Sequence, residues 1–361
     1  NILLMLIVSA GLQAVVAFMQ MHALELMPSW LPVRGDNVPR GIFQQVNVLT
    51  TFLATALVIT IHVISRPKFL HSSNFLQILI VVFFSLSIYI IAASGSRIGL
   101  LSISLAIPLI VWARFKQLRK HKVLLVVIFI SSCVGIYEGK SGLDRTMDKT
   151  THLIDESYSS ARVAMYTIGI ELVKKEPVHG YGIGNFLPTW NKQASDFITR
   201  HPETSLPTVV THPHNEILFW SIEGGLISVI GILSAIIAIG IAIYRQGFEQ
   251  GGAYLALTLP IGLHTQVELP FYISSLHWFL WLFLIYIILC GTTIYKTVSL
   301  SRAATLLIKT SAIALLLISN YMLINTAKAQ LDIYRFVKQQ AEPPYLQIAS
   351  ANLYSLPYAE K

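Results

Sequence analysis

Long apolar stretches separated by short polar segments extend along most of the chain. They predict nine membrane-spanning helices, at residues 1–21, 43–64, 75–93, 98–113, 123–137, 216–243, 252–267, 276–295 and 304–326. Each is close to the roughly 20 residues that cross a bilayer. The fourth, fifth and seventh are short enough for one of them to tilt strongly or to re-enter the bilayer. The pattern predicts an all-α integral membrane protein, a polytopic helical bundle.

One long polar segment, residues 138–215, divides this pattern. The first five predicted spans lie in residues 1–137 and the other four in 216–326, and residues 327–361 begin a further polar region. Because the chain opens inside an apolar run without an initiator methionine or a signal peptide, we expect it to be a piece of a longer protein.

The long polar segment has a pattern of its own. An amphipathic helix is predicted over residues 158–176, since its apolar residues recur at helical spacing: Ala161, Met165, Ile168 and Leu172. Gly180, Gly182 and Gly184 follow. We interpret them as a tight reversal of the chain and not as a nucleotide site, because no strand precedes them.

Composition and charge agree with a membrane protein and give its orientation. Charged residues make up 12% of the chain, against roughly 25% in soluble domains. Ten cations fall in alternate connectors: Arg66, Lys68, Arg114, Lys116, Arg119, Lys120, Lys122, Arg245, Lys296 and Arg302. By the positive-inside rule these connectors are cytoplasmic, which places residues 138–215 on the opposite, outer side of the membrane. The net charge of +8 then requires no nucleic-acid partner, since topology signals and anionic lipids account for much of it.

Titratable residues gather at the predicted outer surface, most densely in His212-Pro213-His214-Asn215-Glu216. An imidazole there suits general-base work, although a single interfacial histidine is commonly only an anchor. No third ligand lies at a familiar metal spacing, so no metal is predicted. A second polar run contains His264, Gln266 and Glu268, where a site and a structural network between helices are both open.

Four further residues on that side are candidates for substrate binding. Arg97 is either a headgroup anchor or an anion site, and Arg162 stands where the helix dipole disfavours a cation. Gln45 and Asn47 open the second predicted span and are either binding residues or helix-packing contacts.

The order of these residues resembles the O-antigen ligase and polymerase superfamily. The motifs that carry the resemblance are Gln45-x-Asn47, Ser94-x-Ser96-Arg97, Arg162 at a helix start, Glu176-Pro177-x-x-Gly180-x-Gly182-x-Gly184, and His214-Asn215 followed by Glu223-Gly224-Gly225. The segments Gln44-Gln45-Val46-Asn47, His212-Pro213-His214 and Gln266-Val267-Glu268-Leu269-Pro270 look closest to its pilin O-oligosaccharyltransferase branch.

The resemblance implies a glycosyltransferase of the integral-membrane GT-C type. Such an enzyme moves an oligosaccharide from undecaprenyl diphosphate to a Ser or Thr hydroxyl of a periplasmic acceptor protein, without a cofactor. We predict that Arg97 and Arg162 hold the diphosphate and that His214 is the base, with Glu268 or Glu216 orienting or replacing it. His212 is a second catalytic candidate. Five polar residues are predicted to bind substrate: Gln45, Asn47, Asn215, His264 and Gln266.

Three rival interpretations stay open. An O-antigen polymerase and a ligase to lipid A-core would share the fold and the donor. A transporter or flippase belongs to another class and would place ionisable residues near the bilayer midplane, often in repeated halves. The charges of this chain gather on one face and in one loop, with no visible repeat, which favours an enzyme.

Overall fold

The computed structural model describes residues 2–28, 37–155, 161–204, 206–207, 210–292, 300–337, 346, 348 and 351–352, with the backbone alone for 148–155. These residues form helices and turns and no β-strand. The predicted all-α class is therefore confirmed. Lys296 and residues 158–160, on which two of the predictions fall, lie outside this part of the chain.

Fourteen α-helices follow one another through the described residues. They are α1 (Ile2–His22), α2 (Val46–Ile64), α3 (Asn74–Ser94), α4 (Arg97–Ala113), α5 (Phe115–Leu118), α6 (Lys122–Glu138), α7 (Lys140–Asp155), α8 (Ala161–Lys175), α9 (Phe186–Arg200), α10 (Glu216–Tyr244), α11 (Gly247–His264), α12 (Pro270–Ile273), α13 (Ser275–Cys290) and α14 (Arg302–Val337).

Six of these helical stretches are long and apolar enough to cross a membrane: α1, α2, α3, the stretch from α5 through α6, α10 and α14. Helices α4 and α13 are apolar but shorter. The polytopic membrane class is confirmed, whereas the count of nine spans stays a prediction. Its seventh member corresponds to α11, which opens with the polar residues Glu249 and Gln250.

Helix α2 lies at the centre of the bundle and packs against α1, α3, α4 and α11. In its most apolar stretch, 94% of the residues are buried, as expected for a helix that is apolar all round. Three of its buried hydroxyl groups are satisfied within the helix. Thr51, Thr55 and Thr60 each donate a hydrogen bond to the carbonyl four residues earlier, so their burial leaves no unpaired donor.

The long polar segment builds a second, smaller core from α8, α9 and the start of α10. The predicted stripe of α8 is confirmed, because Met165, Ile168 and Leu172 are buried there. They meet aromatic side chains of the neighbouring helices, among them Trp190 and Phe219. Aromatic side chains contribute large apolar surfaces to this small core.

Helix α10 is broken at Gly225, whose φ of 59° and ψ of −155° are not helical. The glycine turn docks into this break: Tyr181 N–H donates to the Ile222 carbonyl (2.9 Å) and Leu226 N–H to the Pro177 carbonyl (2.9 Å). A Cβ on Gly225 would lie 2.3 Å from the Val178 carbonyl oxygen. The interpretation of the glycines as a chain reversal is confirmed, since glycine alone fits this approach.

The chain has a separate C-terminal unit, Ile294–Lys361. Its helix α14 runs from Arg302 to Val337, so the predicted boundary between residues 326 and 327 falls inside one continuous helix. Within this unit the Asn352 amide donates to Asn325 Oδ1 at 2.5 Å and to Thr326 Oγ1 at 3.3 Å.

Candidate active site

The central feature of the site is a hydrogen bond between His214 and Glu268, which are far apart in sequence. His214 Nδ1 lies 2.8 Å from Glu268 Oε1. The Glu268 side chain is 6% exposed and that of His214 is 28% exposed. An ionised carboxylate only accepts, so Nδ1 carries the proton and Nε2 has a free lone pair. A buried carboxylate thus orients an accessible base, which is the arrangement that general-base catalysis needs.

His212 supports this pair from the other side of Pro213. Its Nδ1 accepts a hydrogen bond from the His214 backbone N–H at 3.3 Å, and its Nε2 lies 3.9 Å from Glu268 Oε1. Burial lowers the pKa of His212, and the neighbouring His214 lowers it further, while Glu268 opposes the shift. His212 is therefore neutral near pH 7, and its Nε2–H points toward the carboxylate.

The pKa of Glu268 is set by two opposing effects. Burial by itself would raise it, but the hydrogen bond from His214 and the surrounding histidines act against burial, and the resulting pKa is below its ordinary value. Glu268 is therefore a carboxylate at neutral pH. A carboxylate in this position holds the imidazole of His214 in one tautomer and stabilises the imidazolium that forms when it takes a proton.

Local structure fixes His214 in place. Its φ of 55° is in the left-handed region, which residues other than glycine adopt only at a cost. The following residue, Asn215, caps α10, because its Oδ1 accepts from Leu218 N–H at 2.9 Å. Glu216 N–H donates to the Thr265 carbonyl at 2.9 Å, and the Asn215 amide donates to the Gln266 carbonyl at 3.1 Å. The His-Asn-Glu turn is thereby bound to the segment that carries Glu268.

The two predicted donor arginines lie near this centre. Arg162 is in the first turn of α8, and its Nη2 is 3.5 Å from the Val267 carbonyl, next to Glu268. Arg97 begins α4, and the charge of Arg162 acts on it electrostatically. Both side chains are half-buried. The fold thus brings two guanidinium groups that are 65 positions apart in the sequence near enough to act on one another. Like charges in this arrangement favour an anion between them.

Asn47 connects the start of α2 to this arginine. Its Oδ1 accepts from Ser96 Oγ at 2.9 Å, and Thr50 Oγ1 donates to the same hydroxyl at 2.9 Å. Ser96 Oγ in turn accepts from Gly99 N–H at 3.2 Å, which caps α4. The network therefore fixes the helix start from which Arg97 projects. Gln45 precedes α2 and lies half-exposed beside Asn47.

The remaining candidates differ in access to a substrate. Gln266 is exposed. The ring of His264 is completely buried, and neither of its nitrogens has a hydrogen-bond partner. It faces His277 edge-on at 6.3 Å between ring centroids. His264 thus lies behind Glu268 and not at the surface that a substrate would reach. Glu216 is also buried, with Oε1 unpartnered.

His212, His214 and Glu268 also meet the geometric requirement for holding a metal. One ligand atom from each lies within 4.8 Å of the others. Sequence spacing concealed this set, because Glu268 is more than 50 residues from the histidines and joins them only through the fold. The absence of a metal stays a prediction. His214 Nδ1 and the carboxylate already satisfy one another, so a cation would have to displace that hydrogen bond.

Glu223 is a residue whose importance the sequence left unexplained. Its buried carboxylate accepts from Gly184 N–H at 3.0 Å and from Phe186 N–H at 3.1 Å, at the start of α9. A carboxylate is favoured at a helix N-terminus by the dipole. The signal in the sequence was an acidic residue followed by two glycines inside an apolar run. Consecutive glycines in such a position predict a break in the helix.

The bundle of apolar helices carries a polar site at one end, where a carboxylate–imidazole pair lies beside Arg162. These features are those of a polytopic membrane protein with a candidate active site. The sequence profile described as O-Antigen ligase matches residues 80–233. A second profile, described as the C-terminal part of a virulence factor membrane-bound polymerase, matches residues 253–352. The chain belongs to the O-antigen ligase and polymerase superfamily of membrane glycosyl-transferring enzymes. No curated protein sequence matches it significantly.

Proposed function

We propose that the protein transfers an oligosaccharide from undecaprenyl diphosphate to a Ser or Thr hydroxyl of a periplasmic protein of the pilin type. It would act in the bacterial inner membrane with its site on the periplasmic side. The observation that carries the proposal is the His214–Glu268 pair beside Arg162, because it combines a base for a hydroxyl acceptor with a cation for a diphosphate leaving group. Each profile match contributes one member of the pair.

A groove that leads away from Arg97 supports a lipid-linked donor. It has a volume of about 960 Å³ and is lined by apolar residues of α4 and α6, with Arg97 at one end and Leu118 at the other. Along α4 the lining extends from Arg97 to Val111, or roughly 20 Å at 1.5 Å per residue. An isoprenoid chain in this groove would place its diphosphate at Arg97 and near Arg162, where bidentate donors suit phosphate oxygens.

The proposed step transfers one proton and exchanges one bond at the sugar. The acceptor hydroxyl oxygen attacks the anomeric carbon of the donor, the bond from that carbon to the diphosphate oxygen breaks, and undecaprenyl diphosphate leaves. His214 Nε2 takes the hydroxyl proton while Glu268 stabilises the imidazolium. Arg97 and Arg162 stabilise the charge that develops on the diphosphate. No cofactor enters this scheme, since the donor linkage supplies the energy.

A second acceptor class is favoured by one finding. The C-terminal part matches a profile described as a membrane-bound polymerase, and a polymerase would pass the glycan to another lipid-linked glycan with the same donor site. Lipid A-core is a third acceptor that the same chemistry would serve. The acceptor, and not the chemistry at His214, separates these candidates.

The proposal is tested in cells that carry the wild-type gene or the His214→Gln variant, with His201→Gln as a control on the exposed part of the loop. We expect intact-protein mass spectrometry to show a glycan mass on one periplasmic protein that only His214→Gln removes, with lipopolysaccharide unchanged. Loss of lipopolysaccharide O-antigen would identify a ligase. A shortened lipid-linked glycan with unmodified proteins would identify a polymerase, and either result would overturn the pilin-type assignment.

A further inference from the structure

A second groove lies on the face of α6 that is opposite to the groove at Arg97, which we call the donor groove. It has a volume of about 720 Å³, and α3 contributes its floor while α1 and α6 form its walls. The lining residues from Val127 to Glu138 of α6 span roughly 16 Å at 1.5 Å per residue. Most of the lining is apolar, as at Phe18, Ile130 and Val134. A groove of this shape in a membrane-spanning surface suits one acyl chain.

The outer end of this groove is polar and carries a negative charge. Glu138 is exposed there and forms no ion pair among the described residues. Opposite it, His22 Nε2 is 2.5 Å from the Tyr89 hydroxyl, and Glu138 acts electrostatically on Tyr89. Lys140, the nearest cation in sequence, places its Nζ over the Tyr137 ring at 5.6 Å. Glu138 therefore keeps a carboxylate available at the lipid–water boundary.

We propose that this groove is a binding site for a phospholipid with a primary-amine headgroup. The acyl chain lies along α3 and α6, the ammonium group pairs with Glu138, and the phosphate accepts from the His22 and Tyr89 pair. A primary ammonium offers N–H donors to a carboxylate, whereas an anionic glycerol headgroup would meet repulsion from Glu138. Charge complementarity therefore selects the headgroup, and the apolar walls accept the chain without selectivity.

A lipid bound in this groove would stabilise α6, which forms one wall of the donor groove. Only 11% of the most apolar stretch from α5 through α6 is buried within the protein, so α6 is held mainly by α3. Gly135 permits their close approach, since a Cβ there would lie 3.3 Å from the Ser85 carbonyl oxygen and 3.3 Å from Tyr89 N. The opposite face of α6, with Ile128 and Ser132, lines the donor groove. A bound lipid adds apolar contacts to a helix that has few.

The proposal is tested by native mass spectrometry of the purified protein released from nanodiscs. The nanodiscs contain equal amounts of phosphatidylethanolamine and phosphatidylglycerol with identical acyl chains. We expect wild-type protein to retain phosphatidylethanolamine in preference, and Glu138→Gln to reduce that retention roughly fivefold, the usual scale of one partly solvated ion pair. Phosphatidylglycerol retention should rise in this variant, because the repulsion between Glu138 and the anionic headgroup is removed.

Two further variants keep the test decisive. Glu176→Gln removes an exposed carboxylate from the same polar region without touching the groove and should behave as wild type. Val134→Trp fills the groove and should reduce retention of both lipids while Glu138 is intact. Equal retention of the two lipids by wild type, or unchanged phosphatidylethanolamine binding in Glu138→Gln, would overturn the proposal. Neither result bears on the transferase assignment.

Discussion

The two ends of the helical bundle use similar residues for different purposes. At the end that carries Arg114, cations are paired: Arg114 Nε donates to Ser65 Oγ at 2.9 Å and its Nη1 to Gln250 Oε1 at 3.1 Å. Lys116 forms an ion pair with Glu249 at 2.9 Å. At the end that carries His214, two arginines act on one another and a histidine has a left-handed backbone.

This difference separates a structural network from a reactive one. At the Arg114 end, each contact matches a donor with an acceptor on a neighbouring helix, which favours stability. At the His214 end, like charges and an unusual backbone conformation are held in place by the surrounding fold, and such arrangements are typical of functional sites. We therefore expect substitutions at the first end to change stability and those at the second to change activity.

The largest expected contrast is in exposure to the periplasm. In a background of Cys133→Ser and Cys290→Ser, Ser195→Cys should be labelled by an impermeant thiol reagent in cells with a permeable outer membrane and an intact inner membrane. Lys116→Cys should be labelled only after the inner membrane is broken. The opposite pattern would reverse the two ends and contradict the periplasmic site.

The second-largest expected effect is on the rate of glycosyl transfer when the imidazole of His214 is removed. His214→Ala should reduce glycosyl transfer by roughly 10²–10⁴-fold, the range of a positioned general base, while the protein still inserts and accumulates. His212→Ala should leave a measurable fraction, because His212 supports the turn and is less exposed. Initial rates with a purified lipid-linked donor measure both. If His214→Ala kept full activity, the assignment of His214 as the base would be wrong, and Glu268 would be the base.

The planar geometry of the arginine side chain should matter for glycosyl transfer at the His214 end of the bundle and not at the Arg114 end. Arg97→Lys and Arg162→Lys should each cost about 2–4 kcal/mol of transition-state stabilisation, or a hundredfold and more in rate, because a point charge cannot replace a bidentate fork. Arg66→Lys, on the connector next to the Arg114 end, is the matched control and should transfer at the wild-type rate. If both Lys variants at the His214 end transferred at the wild-type rate, Arg97 and Arg162 would be headgroup anchors and not diphosphate-binding residues.

Arg114→Lys should have the reverse profile. Loss of the paired hydrogen bonds to Ser65 and Gln250 should cost about 1.5–3 kcal/mol of stability, seen as a lower Tm in detergent. The transfer rate at temperatures below the transition should stay within about twofold of wild type. Arg119→Lys, at an exposed position of the same connector, should change neither quantity. A rate loss in Arg114→Lys without a change in Tm would contradict the division between the two ends.

The smallest expected effect is a pH dependence of stability that His212 causes. Its folded pKa is lowered, so the unfolded chain binds the proton more readily, and stability falls as the pH decreases through about 6.5, the unfolded value. Glu268 has a linkage of the same sign in a lower pH range: its stabilisation is present above about 4.3 and is lost only as the pH falls through its lower folded pKa. Between pH 7.5 and 5.5 the Tm of wild type should therefore fall more than that of His212→Gln. Parallel curves would contradict the neutral assignment of His212.

Local sequence determined the elements of this protein. Apolar runs of bilayer length predict helices because an unpaired backbone group is too costly in lipid, and those runs are the observed helices with ends shifted by a few residues. The apolar stripe of α8 and the chain reversal at Gly180 could likewise be predicted from the sequence, since helical periodicity and the conformational freedom of glycine are local properties. The same runs could not show that α14 continues to Val337, because a helix can extend into polar sequence.

Tertiary structure alone decided which polar residues meet. Sequence identified His214 and Glu268 as candidates, but their 2.8 Å contact depends on the His-Asn-Glu turn binding to the segment after α11. The Asn47–Ser96 bond, the break in α10 that receives the glycine turn, and the groove below Arg97 arise in the same way, from helices packed side by side. Hydrophobic periodicity records which face of a helix is buried, whereas the partner of each polar group depends on packing between distant segments, which no local pattern encodes.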